Sequence, residues 1–174
     1  MSVVDEERKA RRVRAVDEHI QCENRHDLDA VMNTFGETPQ YHDEAWGEHY
    51  QGRNGVRSYY RALISALPDL AIDVKRRHIT EEHVILEVVI TGTHLGGWRG
   101  LPGTGRRVEF PLCAIYSFDT QEKLSGERIY YDRAVALRQV GLYREPTSLM
   151  GRLTAPLLHP VTITRVFARK LFRS

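Results

Sequence analysis

The chain has 174 residues, 41% hydrophobic and 28% charged, the size of one domain with residues to spare. That balance excludes a disordered chain, a collagen and a membrane channel. Its 25 basic and 23 acidic residues leave a net charge of +2, too even for a nucleic-acid partner, where a strong basic excess is expected.

Residues 6–35 carry Val13, Val16, Ile20, Leu28, Val31, Met32 and Phe35 at helical spacing. A break is expected near residues 24–26, with Asp27 capping a second short helix. The start of the chain is charged from Asp5 onward and lacks the apolar centre of a secretory signal. Tyr41, His42 and Asp43 form a short predicted strand, and Gly52 to Gly55 a turn. Val56, Tyr59, Tyr60, Leu63, Ile64 and Leu67 then make an amphipathic helix that Pro68 and Asp69 end.

Beyond Pro68 the period changes to two. Strands are predicted over residues 70–79, 83–94, 106–118 and 123–133, parted by turn signals at 80–82, 96–105 and 119–122. Helices followed by long antiparallel strands give an α+β fold, a curved sheet with helices packed on one face. Such a cone-shaped barrel leaves a mouth that suits a ligand.

Residues 146–174 differ in composition and form a tail, not a separate domain. They hold Arg152, Arg165, Arg169, Lys170 and Arg173 and no acid, set among Leu149, Met150, Leu153, Leu157, Leu158, Val166, Phe167, Leu171 and Phe172. One reading is a helical extension packed on the domain or on a second subunit. The other is a basic amphipathic segment on an anionic membrane surface. No apolar run reaches the roughly 18 residues of a span. Cys22 and Cys113 lie far apart without a CxxC, so neither a disulfide nor a zinc site is expected, and the reading is a cytoplasmic protein.

Several stretches resemble one known family. His83 to His94, ending Thr91-Gly92-Thr93-His94, is followed by Gly100-Leu101-Pro102-Gly103-Thr104-Gly105-Arg106-Arg107-Val108-Glu109-Phe110. Downstream come Gly126-Glu127-Arg128-Ile129-Tyr130-Tyr131-Asp132 and Leu137-Arg138-Gln139-Val140-Gly141, and upstream Gly52-Arg53-Asn54-Gly55-Val56-Arg57 and Pro68-Asp69-Leu70. Over residues 14–142 this order is similar to the SnoaL-like polyketide cyclases of the nuclear-transport-factor-2-like superfamily. The resemblance implies a cone in residues 1–145, often a homodimer, and no cofactor. It also implies a hydrophobic small-molecule substrate. The superfold hosts cyclases, isomerases, epoxide hydrolases and proteins without catalysis.

The resemblance makes Asp132 the first candidate for a general acid/base, because that family uses a carboxylate at the end of this strand. Ring closure by aldol addition needs a proton taken from carbon and one returned to oxygen, and a carboxylate raised by an apolar pocket does both. Asp132 is equally placed to cap the helix that follows it. Arg128, Tyr130 and Asp132 share one strand face, so Tyr130 is a candidate to polarise a carbonyl and Arg128 to bind beside it. His42 is the third catalytic candidate, and Tyr41, Trp46, Tyr60, His94 and Trp98 are candidates to line or lid the pocket. His19, His26, His78 and His83 are expected at the surface. No metal-ligand spacing, Ser-His-Asp elbow or phosphate loop is present, and the strands lack the Arg-x-Asp of an epoxide hydrolase of the limonene type. The expected function is aldol-type cyclisation or ketosteroid-type isomerisation of an enolisable molecule. A non-catalytic binding or assembly module is the alternative.

Overall fold

The computed structural model describes residues 3–171; Phe172 and Arg173 of the predicted tail lie outside them. Six helices and six strands follow in the order α1 (Val3–Asn24), α2 (Leu28–Thr34), β1 (Phe35–Asp43), β2 (Glu48–Gln51), α3 (Gly52–Ala66), β3 (Ala71–Ile79), β4 (His83–Thr93), β5 (Arg107–Phe118), β6 (Leu124–Tyr130), α4 (Arg133–Gln139), α5 (Leu149–Leu158) and α6 (Pro160–Leu171). One curled sheet has the order β2-β1-β6-β5-β4-β3, antiparallel throughout except where β1 runs parallel to β6. The predicted α+β class is the observed one.

The core lies between the sheet's inner face and α1 and α3. In β4 burial alternates residue by residue, with Val84, Leu86, Val88 and Ile90 inward, as a strand with one covered face requires. In α1, Val16, His19, Ile20 and Glu23 are all buried at the i, i+3, i+4, i+7 spacing of one helix face. The predicted break between α1 and α2 is made by His26 at φ 56, with Asp27 capping α2 through the Ala30 N–H at 3.0 Å.

Three local expectations change. β1 is nine residues long, because Gln40 to Asp43 pair on both sides, with β2 and with β6. β2 itself, alternating half-exposed and exposed, has too little apolar pattern to be read from sequence. The predicted turn at Gly52 to Gly55 is the first turn of α3, which Gly52 enters at φ 68, a conformation that strains side chains.

The tail forms α5 and α6. Ser148 caps α5 by accepting from the Gly151 N–H at 3.0 Å, and His159 ends it before Pro160 opens α6. Both cysteines are free thiols.

Candidate active site

A cavity of about 90 Å³ lies at the mouth of the cone, walled by Trp46, Leu63, Trp98, Leu101, Phe110, Tyr131 and Leu137. Its polar atoms are few. His94 is buried and turns Nδ1 toward the Thr104 hydroxyl at 3.2 Å, which leaves Nε2 without a hydrogen-bond partner. Trp46 Nε1 donates to the Tyr131 hydroxyl at 2.7 Å.

Over this mouth the loop between β4 and β5 is held by Arg99. Its guanidinium lies between the Trp46 and Trp98 rings, 4.6 and 4.2 Å from their centroids. Nη2 donates to Asp43 Oδ2 and to Glu48 Oε2, each at 2.7 Å, and Nε to Glu48 Oε1 at 2.9 Å. Arg99 sits at φ 50, a strained conformation that the bidentate pairing offsets. Burial pushes the fully enclosed Asp43 carboxyl up, and Arg99 pulls it only part of the way back.

Deeper, a second cavity of about 60 Å³ shares Leu63, Leu67, Phe110 and Tyr131 with the first. Glu23 of α1 and Glu127 of β6 both line it. His19, without exposed surface, stands between them: its Nε2 is 3.5 Å from Glu23 Oε2 and 3.4 Å from Glu127 Oε2. Tyr60 donates to Glu127 Oε2 at 2.6 Å, and its hydroxyl oxygen is 3.0 Å from His19 Nε2. The Thr34 hydroxyl donates to the Val31 carbonyl at 2.7 Å, so it accepts from His19 Nδ1, also at 2.7 Å.

Each ring nitrogen of His19 faces a hydroxyl oxygen able to accept, the arrangement that suits an imidazolium. Burial pushes His19 down, but Glu23 and Glu127 outweigh it and hold it above its ordinary value. Burial likewise pushes Glu23 up, to about 8, with His19 opposing and Glu127 reinforcing the rise. With a value of about 8, Glu23 holds its proton near neutral pH beside the His19 ring. The Glu23 Oε2 atom, in a residue only 5% exposed, makes no hydrogen bond.

The sequence candidates divide by strand face. On β6, Glu127 and Ile129 are buried while Arg128 and Tyr130 are exposed, so the face that holds Arg128 and Tyr130 is the outer one. Asp132, beyond the strand, is exposed and accepts from the Ala134 N–H at 2.8 Å as the N-cap of α4. On β1, Tyr41 and Asp43 point in and His42 points out, stacked on His49 at 4.3 Å beside Arg128. The orientation expected for Asp132, Tyr130, Arg128 and His42 is thus corrected: none lines either cavity, because each is one residue out of phase with the inward set. Trp46, His94 and Trp98 line the mouth, and Tyr41 the floor, stacked on Tyr59 at 3.9 Å. Tyr60 holds Glu127. His19, expected at the surface, is instead at the centre; His78 is exposed, and His26 and His83 are half-buried.

Among the described residues, two groups could hold a metal ion, His19, Glu23 and Glu127 at the floor and His42, Glu44 and His49 on the outer face. His42 and His94 do not come together, since His94 lines the mouth and His42 lies outside.

A sequence profile of the SnoaL-like polyketide cyclases matches residues 11–140. No curated protein sequence matches the chain. Among solved structures, AclR from Streptomyces galilaeus is 23% identical with a TM-score of 0.68, over 78% of this chain and 99% of its own. A protein from Catenulispora acidiphila with a ketosteroid isomerase-like fold, solved with trimethylamine, is 18% identical at a TM-score of 0.64, over 74% and 93%. SalBIII, an epoxide hydrolase/cyclase-like enzyme of pyran ring formation in salinomycin, is 19% identical at 0.60, over 69% and 89%. At these identities the structural likeness shows the fold.

Proposed function

Since the chain belongs to the SnoaL-like polyketide cyclase family, we propose that it moves protons on a hydrophobic, enolisable small molecule, with Glu23 as the general acid/base. The observation that carries this reading is the raised carboxyl of Glu23, whose Oε2 makes no hydrogen bond, in the lining of an apolar cavity. A buried acid without a hydrogen bond costs stability, and active sites are where such groups are kept. The ionised form of Glu23 takes a proton from a carbon flanked by carbonyls. The enolate carbon adds to a second carbonyl, and the new alkoxide retrieves the proton from Glu23. For an isomerisation, the same proton returns to a different carbon. His19 and Glu127 hold the neighbouring charge in place, and neither step needs a cofactor.

The mouth would take the apolar body of the substrate against Leu63, Phe110, Tyr131 and Leu137. With cavities of about 90 and 60 Å³, the closed cone holds a ring-sized fragment. Sites for drug-sized ligands run from roughly 300 Å³ upward, so a polycyclic substrate requires the Arg99 loop to swing out. That small volume also favours the second reading, a non-catalytic binding or assembly module whose cone is filled by Tyr41, Tyr59, Tyr60 and Phe110. The family resemblance adds the expectation of a homodimer, which sedimentation of the intact chain checks.

The test follows loss of the α-proton NMR signal of β-diketones and unsaturated steroidal ketones in D2O. Exchange is expected to exceed that in buffer, to rise about tenfold per pH unit below 8 and to level above it, as Glu23 ionises. A rate flat with pH would remove Glu23 from the role. No exchange with any probe would select the module. Asp132→Ala is expected to leave exchange unchanged and to cost about 1 kcal/mol on thermal unfolding, the loss of a helix cap. A large loss of exchange in that variant would restore Asp132 as the acid/base.

A further inference from the structure

The tail helices present their apolar side the wrong way round for a helix docked on its own domain. On α5, Leu149, Met150, Leu153 and Leu157 fall within one arc of about 100° at 3.6 residues per turn, and they are 76, 53, 64 and 81% exposed. The opposite side is small: Gly151 is buried, and Thr154 and Ala155 are half-buried. A side chain at Gly151 would collide with the Glu145 carbonyl, so α5 lies tight on the chain that leads into it. In α6 the exposed line runs Val161, Arg165, Arg169 at i, i+4, i+8, with Val161 61% exposed. An apolar stripe is followed directly by a basic one.

Charge is segregated along the chain in the same way. Residues 146–174 hold five basic residues and no acid, which leaves 20 basic against 23 acidic residues in the first 145. An acidic body followed by a wholly basic tail is the distribution that lays the tail, and not the body, on an anionic surface. No described helix is long and apolar enough to cross a membrane, and α5 and α6 have ten and twelve residues.

We propose that α5 and α6 form an interfacial anchor, with Leu149, Met150, Leu153 and Leu157 entering the acyl boundary of an anionic bilayer and Arg152, Arg165 and Arg169 at its headgroups. Apolar insertion and charge attraction act together in such helices, and neither alone gives firm binding. The surface would hold the cone where hydrophobic molecules partition.

The test floats the intact protein with phosphatidylcholine vesicles, with and without phosphatidylglycerol. The protein is expected to float with the phosphatidylglycerol vesicles at low salt and to be released at high salt, as screening predicts. Replacing Arg165 and Arg169 together by Gln is expected to weaken binding roughly 25-fold, about fivefold per charge. Leu149→Gln with Leu153→Gln is expected to abolish it with the melting temperature unchanged, because these side chains are 76 and 64% exposed. The proposal is overturned if the protein stays with the buffer, or floats equally with neutral vesicles. It is also overturned if the Leu variants instead convert a dimer to a monomer, which would make the stripe a contact between two copies.

Discussion

Glu23→Gln is expected to melt higher than the parent protein at pH 8 while α-proton exchange falls at least about 10²-fold, the usual contribution of a positioned acid/base. The two effects have one cause. The Glu23 carboxyl titrates near 4.5 when unfolded and at about 8 in the fold, where burial disfavours its charge. Below 4.5 both states hold the proton, and Glu23 contributes nothing. Between 4.5 and 8 the unfolded chain releases the proton and the fold keeps it, so stability falls as pH rises; above 8 the penalty is complete. At 1.36 kcal/mol per unit the full penalty is about 5 kcal/mol. Gln, which has the same shape and no charge to release, escapes it. Losing the partnership with His19 offsets part of the gain, leaving about 1–3 kcal/mol in favour of the variant, or several degrees for a chain of this size. Thermal scans from pH 5 to pH 9 check this, since the variant's melting temperature must rise relative to the parent's as pH rises. A variant that melts lower at pH 8 would mean that Glu23 is a structural partner of His19 and not a strained acid.

The helix and strand periods made most of this fold legible, and the same periods explain where the site was missed. The stripe of Val13, Val16 and Ile20 was visible in the sequence, and His19 and Glu23 fall on it at i, i+3, i+4 and i+7. A polar residue on an apolar stripe is the signal that finds them. His and Glu are usually exposed, so the stripe alone does not place these two inside. On the strands the error was of phase. Period-two alternation separates two faces without saying which is inner, and a shift of one residue exchanges Tyr130 for Ile129 or Tyr131, and His42 for Tyr41 or Asp43. The inner face of β6 is marked by Ile129, but Glu127 beside it argues for solvent until its partners are known. Those partners, His19 and Tyr60, come from two helices that no local pattern brings together. Asp132 stood between a cap and a catalytic role, and its bond to the Ala134 N–H is the cap. Arg99 had no sequence signal, because its meaning lies in rings 53 residues upstream and one residue away, at Trp46 and Trp98.

Arg99→Met is expected to lower stability by about 3–5 kcal/mol at pH 8, the cost of leaving a buried charge without its partner. Asp43 is fully enclosed, and Arg99 holds its Oδ2 at 2.7 Å. Without the guanidinium, the burial that already raises Asp43 loses its main opponent. The folded carboxyl then keeps its proton to higher pH than the unfolded one, so the variant's deficit is smallest in acid and grows as pH rises. Adding Asp43→Asn removes the charge that needed a partner, and the double variant is expected to recover much of the loss. Denaturant unfolding of the parent, both single variants and the double variant at pH 5 and pH 8 closes this cycle. The mouth should respond too. Arg99 ties the loop to Asp43 and Glu48 and fills the gap between the two tryptophans, so its loss frees Trp98 from one wall of the cavity. Bulky probes should then exchange faster relative to small ones in Arg99→Met, while the pH at which exchange levels stays where Glu23 sets it. A deficit below about 1 kcal/mol that does not change with pH would mean that Asp43 is neutral in the parent, and that Arg99 is held by the aromatic rings and Glu48 alone.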